Sequence, residues 1–471
     1  MTLFVLMILL AASVWAIPIM KRWSVLTGLA GTVFVGILFG PPFFSIQGPI
    51  QLSLDRLLVL VSVGWMAIEW RAGTLAKPAW GRHDFVLTAL VAWLFLRVLG
   101  TDAPPEETPP MSRWLTYFVM PWMVYMMMRC VPLTDLALRR LLNVMLGLGC
   151  YVAAIGIFEV TGFHGLVFPR YIVDPQYWEF LGRARGPLMN PAGNGVFLTS
   201  TLAIGCHRWI HAGRLGKVGY LCLIALIGAG CLATLTRSVW LGVIVFAAVL
   251  SMVYLSRSAR ALSLVACLVI GMLSITGFGS IMEIKRDKDM PASEAAKSVE
   301  LRPPLLIVAW EMFKDRPLMG HGYGGYFETS PEYHSRRTWD MPLDKVRPYM
   351  QHNVITSLAV DSGLIGATCF IIWNLVVTSM SWRLMSQRRT NPELRCLGTF
   401  TIGCVCGYFV NGMLHDVSVM PMLNSLLMLA GALTTNAVVA GDSATRVTPR
   451  MDRRAAAPAW ARPNATGVPG C

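Results

Sequence analysis

The sequence predicts an all-α, polytopic membrane protein with about 12–13 transmembrane helices and one long outward-facing loop containing short surface helices. Three observations predict it. Hydrophobic residues make up 55% of the chain and charged ones only 14%, with a mean hydropathy of +0.55, far from the soluble average. The apolar residues gather in runs approaching the roughly 20 needed to cross hydrocarbon as a helix. One long polar stretch, Glu283–Gln351, interrupts this pattern late in the chain and closes on His352-Asn353 at the mouth of the next apolar run. A length of 471 residues would suggest several soluble domains; here it reads as one membrane domain over 1–440.

In order, the apolar segments are Thr2–Met20, Ser24–Gly40, Leu54–Trp70, Phe85–Leu99, Trp114–Met128, Leu141–Thr161 and Ala192–Ile210. Val218–Leu235, Val239–Leu255, Ala261–Met282, Val354–Trp382, Leu397–Leu414 and Val417–Val439 follow. Lys and Arg in short loops stay on the cytoplasmic side. Alternate loops carry Lys21-Arg22, Arg71 with Lys77 and Arg82, Arg139-Arg140, Arg208 with Arg214 and Lys217, Arg257 with Arg260, and Arg383 with Arg388, Arg389 and Arg395. The same side receives 441–471, a basic extension with the composition of disorder. The acidic Thr101–Pro110, the loop Gly162–Pro191 and the 283–351 loop face outward. No positive charge precedes Lys21, so Met1–Met20 is expected to be a retained helix rather than a cleaved signal.

Several function classes fall away. The eleven cysteines lie mostly in or beside apolar runs, without CxxC spacing, so neither a disulfide framework nor a metal site is expected. The net charge of +14 is largely topological and holds loops against anionic lipid heads, which removes the case for nucleic acid. Gly320-His321-Gly322-Tyr323-Gly324 has the spacing of a nucleotide loop, but no strand precedes it and no lysine follows. A turn with close backbone approach is the reading.

Outward-facing arginines need a reason. Arg183 and Arg185 precede Gly186-Pro187-Leu188-Met189-Asn190-Pro191, and Arg237 splits almost forty apolar residues in Thr234-Leu235-Thr236-Arg237-Ser238. Arg302 precedes Pro303-Pro304 and opens a short helix ending at Asp315. Arg237 is either a hairpin-turn arginine snorkelling to the interface or an anion site helped by the hydroxyls of Thr234, Thr236 and Ser238. Arg302 is either an exposed surface arginine or a phosphate ligand strengthened by the helix N-terminus. His352 is a cap or interface residue, or a base whose ordinary pKa of about 6.5 suits neutral pH. Asp361 lies roughly 13.5 Å further along the helix, too far to orient His352 unless the helix is broken.

Taken together, Thr236-Arg237-Ser238-Val239-Trp240-Leu241-Gly242, the Arg302 helix running into Asp315-Arg316-Pro317-Leu318-Met319-Gly320-His321-Gly322, and His352-Asn353 leading to Asp361-Ser362-Gly363-Leu364-Ile365-Gly366 resemble the bacterial O-antigen ligase and O-antigen polymerase family. The resemblance is strongest over Arg183–Gly366. It implies a cofactor-free, metal-independent glycosyltransferase of the bacterial cytoplasmic (inner) membrane, with its site facing the periplasm. Such an enzyme moves a glycan from undecaprenyl diphosphate to an acceptor hydroxyl on a lipid or a glycan. By similarity His352, Arg237 and Arg302 are the catalytic candidates, and Arg185, Asn190, Asn353, His321 and Tyr323 the substrate-binding ones. Membrane lipids and polysaccharide-export proteins are the implied partners. The family commonly has Ser-Arg-Gly at Thr236-Arg237-Ser238 and Glu at Asp361, departures that keep the charge at both places.

Chemically this is coherent: a diphosphate-linked sugar already has a good leaving group, so departing charge must be stabilised and the attacking oxygen activated. A transporter or flippase of a lipid-linked or anionic solute is the alternative, expected to place polar residues at mid-membrane on broken helices in repeated halves. A scaffold with a decayed site is a third, disfavoured because both arginine positions and the histidine position are filled.

Overall fold

The computed structural model describes residues 25–46, 51–73, 75, 78–102, 108–276, 301–336, 339–387 and 391–447. It is a helical bundle. In chain order the helices are α1 (Val25–Leu38), α2 (Leu54–Arg71), α3 (Arg82–Val98), α4 (Pro110–Trp114), α5 (Met120–Arg129), α6 (Asp135–Thr161), α7 (Pro191–His211), α8 (Arg214–Ala233), α9 (Arg237–Tyr254) and α10 (Arg257–Thr276). Beyond the long loop's first part come α11 (Arg302–Asp315), α12 (Tyr326–Thr329), α13 (Pro331–His334), α14 (Val354–Ser386), α15 (Pro392–Gly412) and α16 (Pro421–Val447). Among the described residues, the only strands are a two-residue antiparallel pair, Ser45–Ile46 with Leu52–Ser53.

The described part of every apolar segment read from Ser24 onward falls mainly on a helix; Thr2–Met20, Ser24 and 277–282 lie outside the described residues. α4 and α5 are continuous through a π-helical turn at Leu115–Val119 and together answer the single segment Trp114–Met128. Among the described residues, six helices are long and apolar enough to cross a membrane: α6, α8, α9, α14, α15 and α16 over Pro421–Ala440. The protein is an all-α polytopic membrane protein. α1 and α3 are shorter, at 14 and 17 residues, and α2 carries Asp55, Arg56, Glu69 and Arg71. α7 is rich in Thr, Ser, Asn and Gly, and every residue from Pro191 to Gly205 is buried by α6, α8, α9 and α15, so it has no need of a lipophilic surface there. α16 runs seven residues, 441–447, into the stretch assigned to the tail; 448–471 lie outside the described residues.

Two buried carboxylates of the bundle are paired with arginine, as hydrocarbon demands. Asp84 accepts from Arg129 Nε at 3.0 Å and from the Tyr125 hydroxyl at 2.7 Å, while Glu393 holds Arg139 at 2.8 Å and Arg208 at 2.6 Å.

α14 is the element that organises the outer end. It is broken at Gly363, where φ 68 and ψ −171 leave the helical region. The backbone groups freed there are taken by the glycine loop after α11: His321 N donates to Val360 O at 2.8 Å, Gly322 N to Asp361 O at 3.0 Å, and Leu364 N to Pro317 O at 2.8 Å. α3 completes the joint, with Trp93 Nε1 donating to Ser362 O at 2.8 Å and Arg97 Nη2 to Gly320 O at 3.2 Å. Only glycine fits at such an approach: a Cβ on Gly363 would stand 2.1 Å from Leu318 O.

The described part of the long loop folds on this joint. Leu305, Val308, Ala309 and Met312 of α11 pack with Tyr326, Tyr333, Leu343, Val346 and Val360 into a small core of their own. Arg336 ties it from outside, 2.7 Å from Asp315 and stacked 4.2 Å over Tyr333. Leu306 and Trp310, 56% and 51% exposed, lie on the other side of α11, the face available to the bilayer surface.

Candidate functional site

α11 opens with Pro303 and Pro304 in its first turn, where their missing N–H groups cost nothing, and this presents Arg302 at the helix start. α14 opens with Asn353, whose side-chain oxygen accepts from Ile355 N at 2.9 Å and Thr356 N at 3.1 Å. The cap turns the preceding residue, His352, outward. These two helix starts meet: Arg302, His352 and Asn353 line one cavity of about 150 Å³ with Gln351, Thr356, Leu305, Leu306, Met413 and Leu414.

His352 reaches solvent at the mouth of this cavity. Desolvation by the protein around it, and then the Arg302 guanidinium, push its imidazole below the ordinary range. It is therefore a neutral imidazole near pH 7, the form that accepts a proton. The His415 ring lies 6.4 Å away, centroid to centroid.

Arg237 is the first residue of α9, exposed, on a helix whose N-cap Thr236 makes no side-chain capping bond. The positive end of the helix thus adds to the guanidinium charge. Arg237 is linked to the cavity through the end of α15. Ser238, next to it, donates to the side-chain oxygen of Asn411 at 2.7 Å; two residues on, the Met413 carbonyl accepts from Asn353 Nδ2 at 3.1 Å. One turn, 411–413, thereby anchors both the Arg237 helix start and the His352 helix start.

The structure corrects one expectation here. The hydroxyls of Thr234, Thr236 and Ser238 do not serve as free anion donors: Thr234 donates to Cys231 O at 2.7 Å, Thr236 to Thr234 O at 2.8 Å, and Ser238 to Asn411. They build the turn, which needs building because Leu235 stands at φ 49, a region side chains rarely adopt.

Arg183 and Arg185 have scaffold contacts. Arg183 donates to Thr234 O at 3.2 Å and Leu235 O at 3.3 Å, bracing the Arg237 turn from outside. Arg185 is fully buried; Nε and Nη2 donate to Ile172 O, Nη1 to Glu179 O at 2.6 Å and to Tyr177 O, and Glu159 sits 3.4 Å from Nε. Asn190 caps α7, accepting from Ala192 N and Gly193 N. His321 bonds Met312 O at 2.7 Å through Nε2, and burial pushes its imidazole down. Tyr323 is buried edge-on against Phe118, centroids 5.6 Å apart. None of these five lines the Arg302–His352 cavity.

Among the described residues, no group of three or more His, Cys, Asp or Glu side chains is arranged to hold a metal. Residues missed by sequence reasoning are Gln351, which lines the cavity, and Asn411, Met413 and His415, which come from the end of α15 through contacts that no local pattern announces.

Arg302 and His352 meet in one cavity at the starts of α11 and α14; Arg237 does not line that cavity, and its helix start is tied to the same end of α15 through Ser238. Residues 222–371 match the O-antigen ligase family. That stretch runs from within α8 to the middle of α14 and contains Arg237, Arg302, Gln351, His352 and Asn353; Arg185 and Asn190 lie before it. The O-antigen ligase match supports a glycan-transferring membrane enzyme acting on lipid-linked glycan and acceptor. No curated protein matches the chain.

Proposed function

We propose that the protein transfers a glycan from undecaprenyl diphosphate to an acceptor hydroxyl at the periplasmic face of the inner membrane. The observation that carries this reading is the meeting of Arg302 and His352 in one cavity inside the O-antigen ligase match. Arg302 and Arg237 hold the diphosphate by charge-assisted hydrogen bonds, in a geometry guanidinium suits better than ammonium. His352 accepts the proton of the acceptor hydroxyl as its oxygen bonds to the anomeric carbon. The bond from that carbon to the diphosphate oxygen breaks, and its electron pair leaves with the phosphate, where both arginines stabilise it. Attack opposite the leaving group inverts the anomeric centre.

Arg185, Asn190, His321 and Tyr323 act in this scheme by holding loops; Asn353 acts by aiming His352. The basic loops and the 441–471 tail lie in the cytoplasm. The acceptor is a lipid core, a protein hydroxyl or a second lipid-linked glycan.

A transporter would use a broken helix to expose backbone groups to a mid-membrane solute. The break at Gly363 invites that comparison, but its freed groups are occupied by Pro317, His321 and Gly322, which favours a structural joint.

The test is release of undecaprenyl diphosphate from a lipid-linked oligosaccharide by purified protein with candidate acceptors, wild type against His352→Ala. Release requiring both acceptor and His352 supports transfer. Intact lipid crossing a liposome bilayer without any release would sink it.

A further inference from the structure

Gln351 precedes the proposed base and lines the same cavity. It is 2% exposed, and neither its side-chain nitrogen nor its side-chain oxygen has a hydrogen-bond partner. Burying an amide in this condition is costly, so such groups are rarely kept without a task. The other amide at the cavity, Asn353, is fully committed to Ile355, Thr356 and Met413. The Thr356 hydroxyl donates to Asn353 O at 3.1 Å.

The chemistry of the three polar positions divides cleanly. Arg302 suits phosphate and His352 suits a hydroxyl that loses its proton. A neutral amide, donor and acceptor side by side, suits a neutral group that both gives and takes a hydrogen bond, such as a sugar hydroxyl or acetamido group. Consecutive Cα atoms are about 3.8 Å apart, so Gln351 stands within one residue of the group that faces the attacking oxygen. The substituent-bearing ring carbon nearest that oxygen, after the anomeric carbon itself, is carbon 2. Building on the glycan-transfer reading, we infer that Gln351 reads the hydroxyl or acetamido group on carbon 2 of the donor sugar and sets donor specificity there.

The experiment is a cycle of two proteins and two donors. Full-length wild type and Gln351→Met, which keeps length and removes both hydrogen-bonding atoms, are assayed with a polyprenyl-diphosphate glycan carrying the carbon-2 substituent and with its 2-deoxy analogue. Intrinsic differences between the donors cancel in the comparison. Wild type is expected to prefer the substituted donor by roughly tenfold in kcat/KM beyond what Gln351→Met shows, with both proteins equal on the deoxy donor and the acceptor KM unchanged. Equal loss on both donors, an undiminished preference in Gln351→Met, or a change confined to the acceptor KM overturns the assignment. Wild type active on neither donor, with any acceptor, overturns the glycan-transfer reading itself. Should Gln351→Met fail to fold, Gln351→Leu takes its place in the cycle.

Discussion

The Ser238 hydroxyl donates to the side-chain oxygen of Asn411 at 2.7 Å, joining the first turn of α9 to the last turn of α15. Asn411 is fully buried and its nitrogen is already bonded to Gly407 O at 2.8 Å. Ser238→Ala therefore leaves a buried acceptor without its donor, at a cost of about 1–3 kcal/mol. The expected result is a lowered unfolding midpoint in detergent, and slower transfer although Arg237 is still present. Unchanged transfer at unchanged stability would show that Arg237 does not depend on this tether.

Arg237→Ala and His352→Ala are expected to abolish detectable transfer, a loss of at least roughly a hundredfold each, as for removal of a charge stabiliser or a general base. Membrane insertion should be unaffected because both side chains sit at exposed helix starts. Arg453→Ala, in the tail, should change neither. Turnover assays beside membrane fractionation decide between these outcomes.

His352 is held below the ordinary imidazole range by desolvation and then by Arg302. A base with a lowered pKa remains neutral further into acid, so the acid limb of kcat/KM should fall below about pH 6.5. Arg302→Gln removes the smaller of the two causes. In that variant the limb should move upward, toward but not reaching the ordinary value, on top of a lower plateau. A limb that stays put would mean another group controls it.

Gly363→Ala places a Cβ 2.1 Å from Leu318 O and 2.6 Å from Met319 N at φ 68, all rigid backbone. Loss of several kcal/mol and failure to purify as a monodisperse species are expected. Gly31→Ala, in α1 with nothing within 4 Å, is the matched control and should purify normally.

Positive charge at the diphosphate comes from arginine in this mechanism, so EDTA should leave turnover unchanged. Loss restored by a divalent ion would count against it.

Much of this architecture was legible from residue order. Apolar runs such as Leu141–Thr161 mark helices because backbone groups in hydrocarbon must bond within their own segment. Pro303-Pro304 announces the start of α11, and Arg237, splitting a long apolar stretch, marks the turn between α8 and α9. Other parts were not legible for equally physical reasons. The break in α14 hides because Gly363 lies in a run that would be helical without the glycine loop pressed against it, and that loop is about forty residues away. The tether through Asn411 and the orphaned amide of Gln351 are properties of packing between helices. The roles of Arg183 and Arg185 depend on where carbonyls of Ile172, Glu179 and Thr234 come to rest.

The joint between the glycine loop and broken α14 has a dynamic consequence. A polar loop between two membrane segments ordinarily exchanges its amide protons with solvent quickly. Here the amides of His321, Gly322 and Leu364 are bonded to partners across the break, so their exchange requires the joint to open. In deuterium the stretch 320–322 should stand as a slow-exchanging island, labelling at the pace of the outer half of α14. Such an island would tie the opening of the glycine loop, and with it the seat of the Arg302 helix, to the opening of α14 itself.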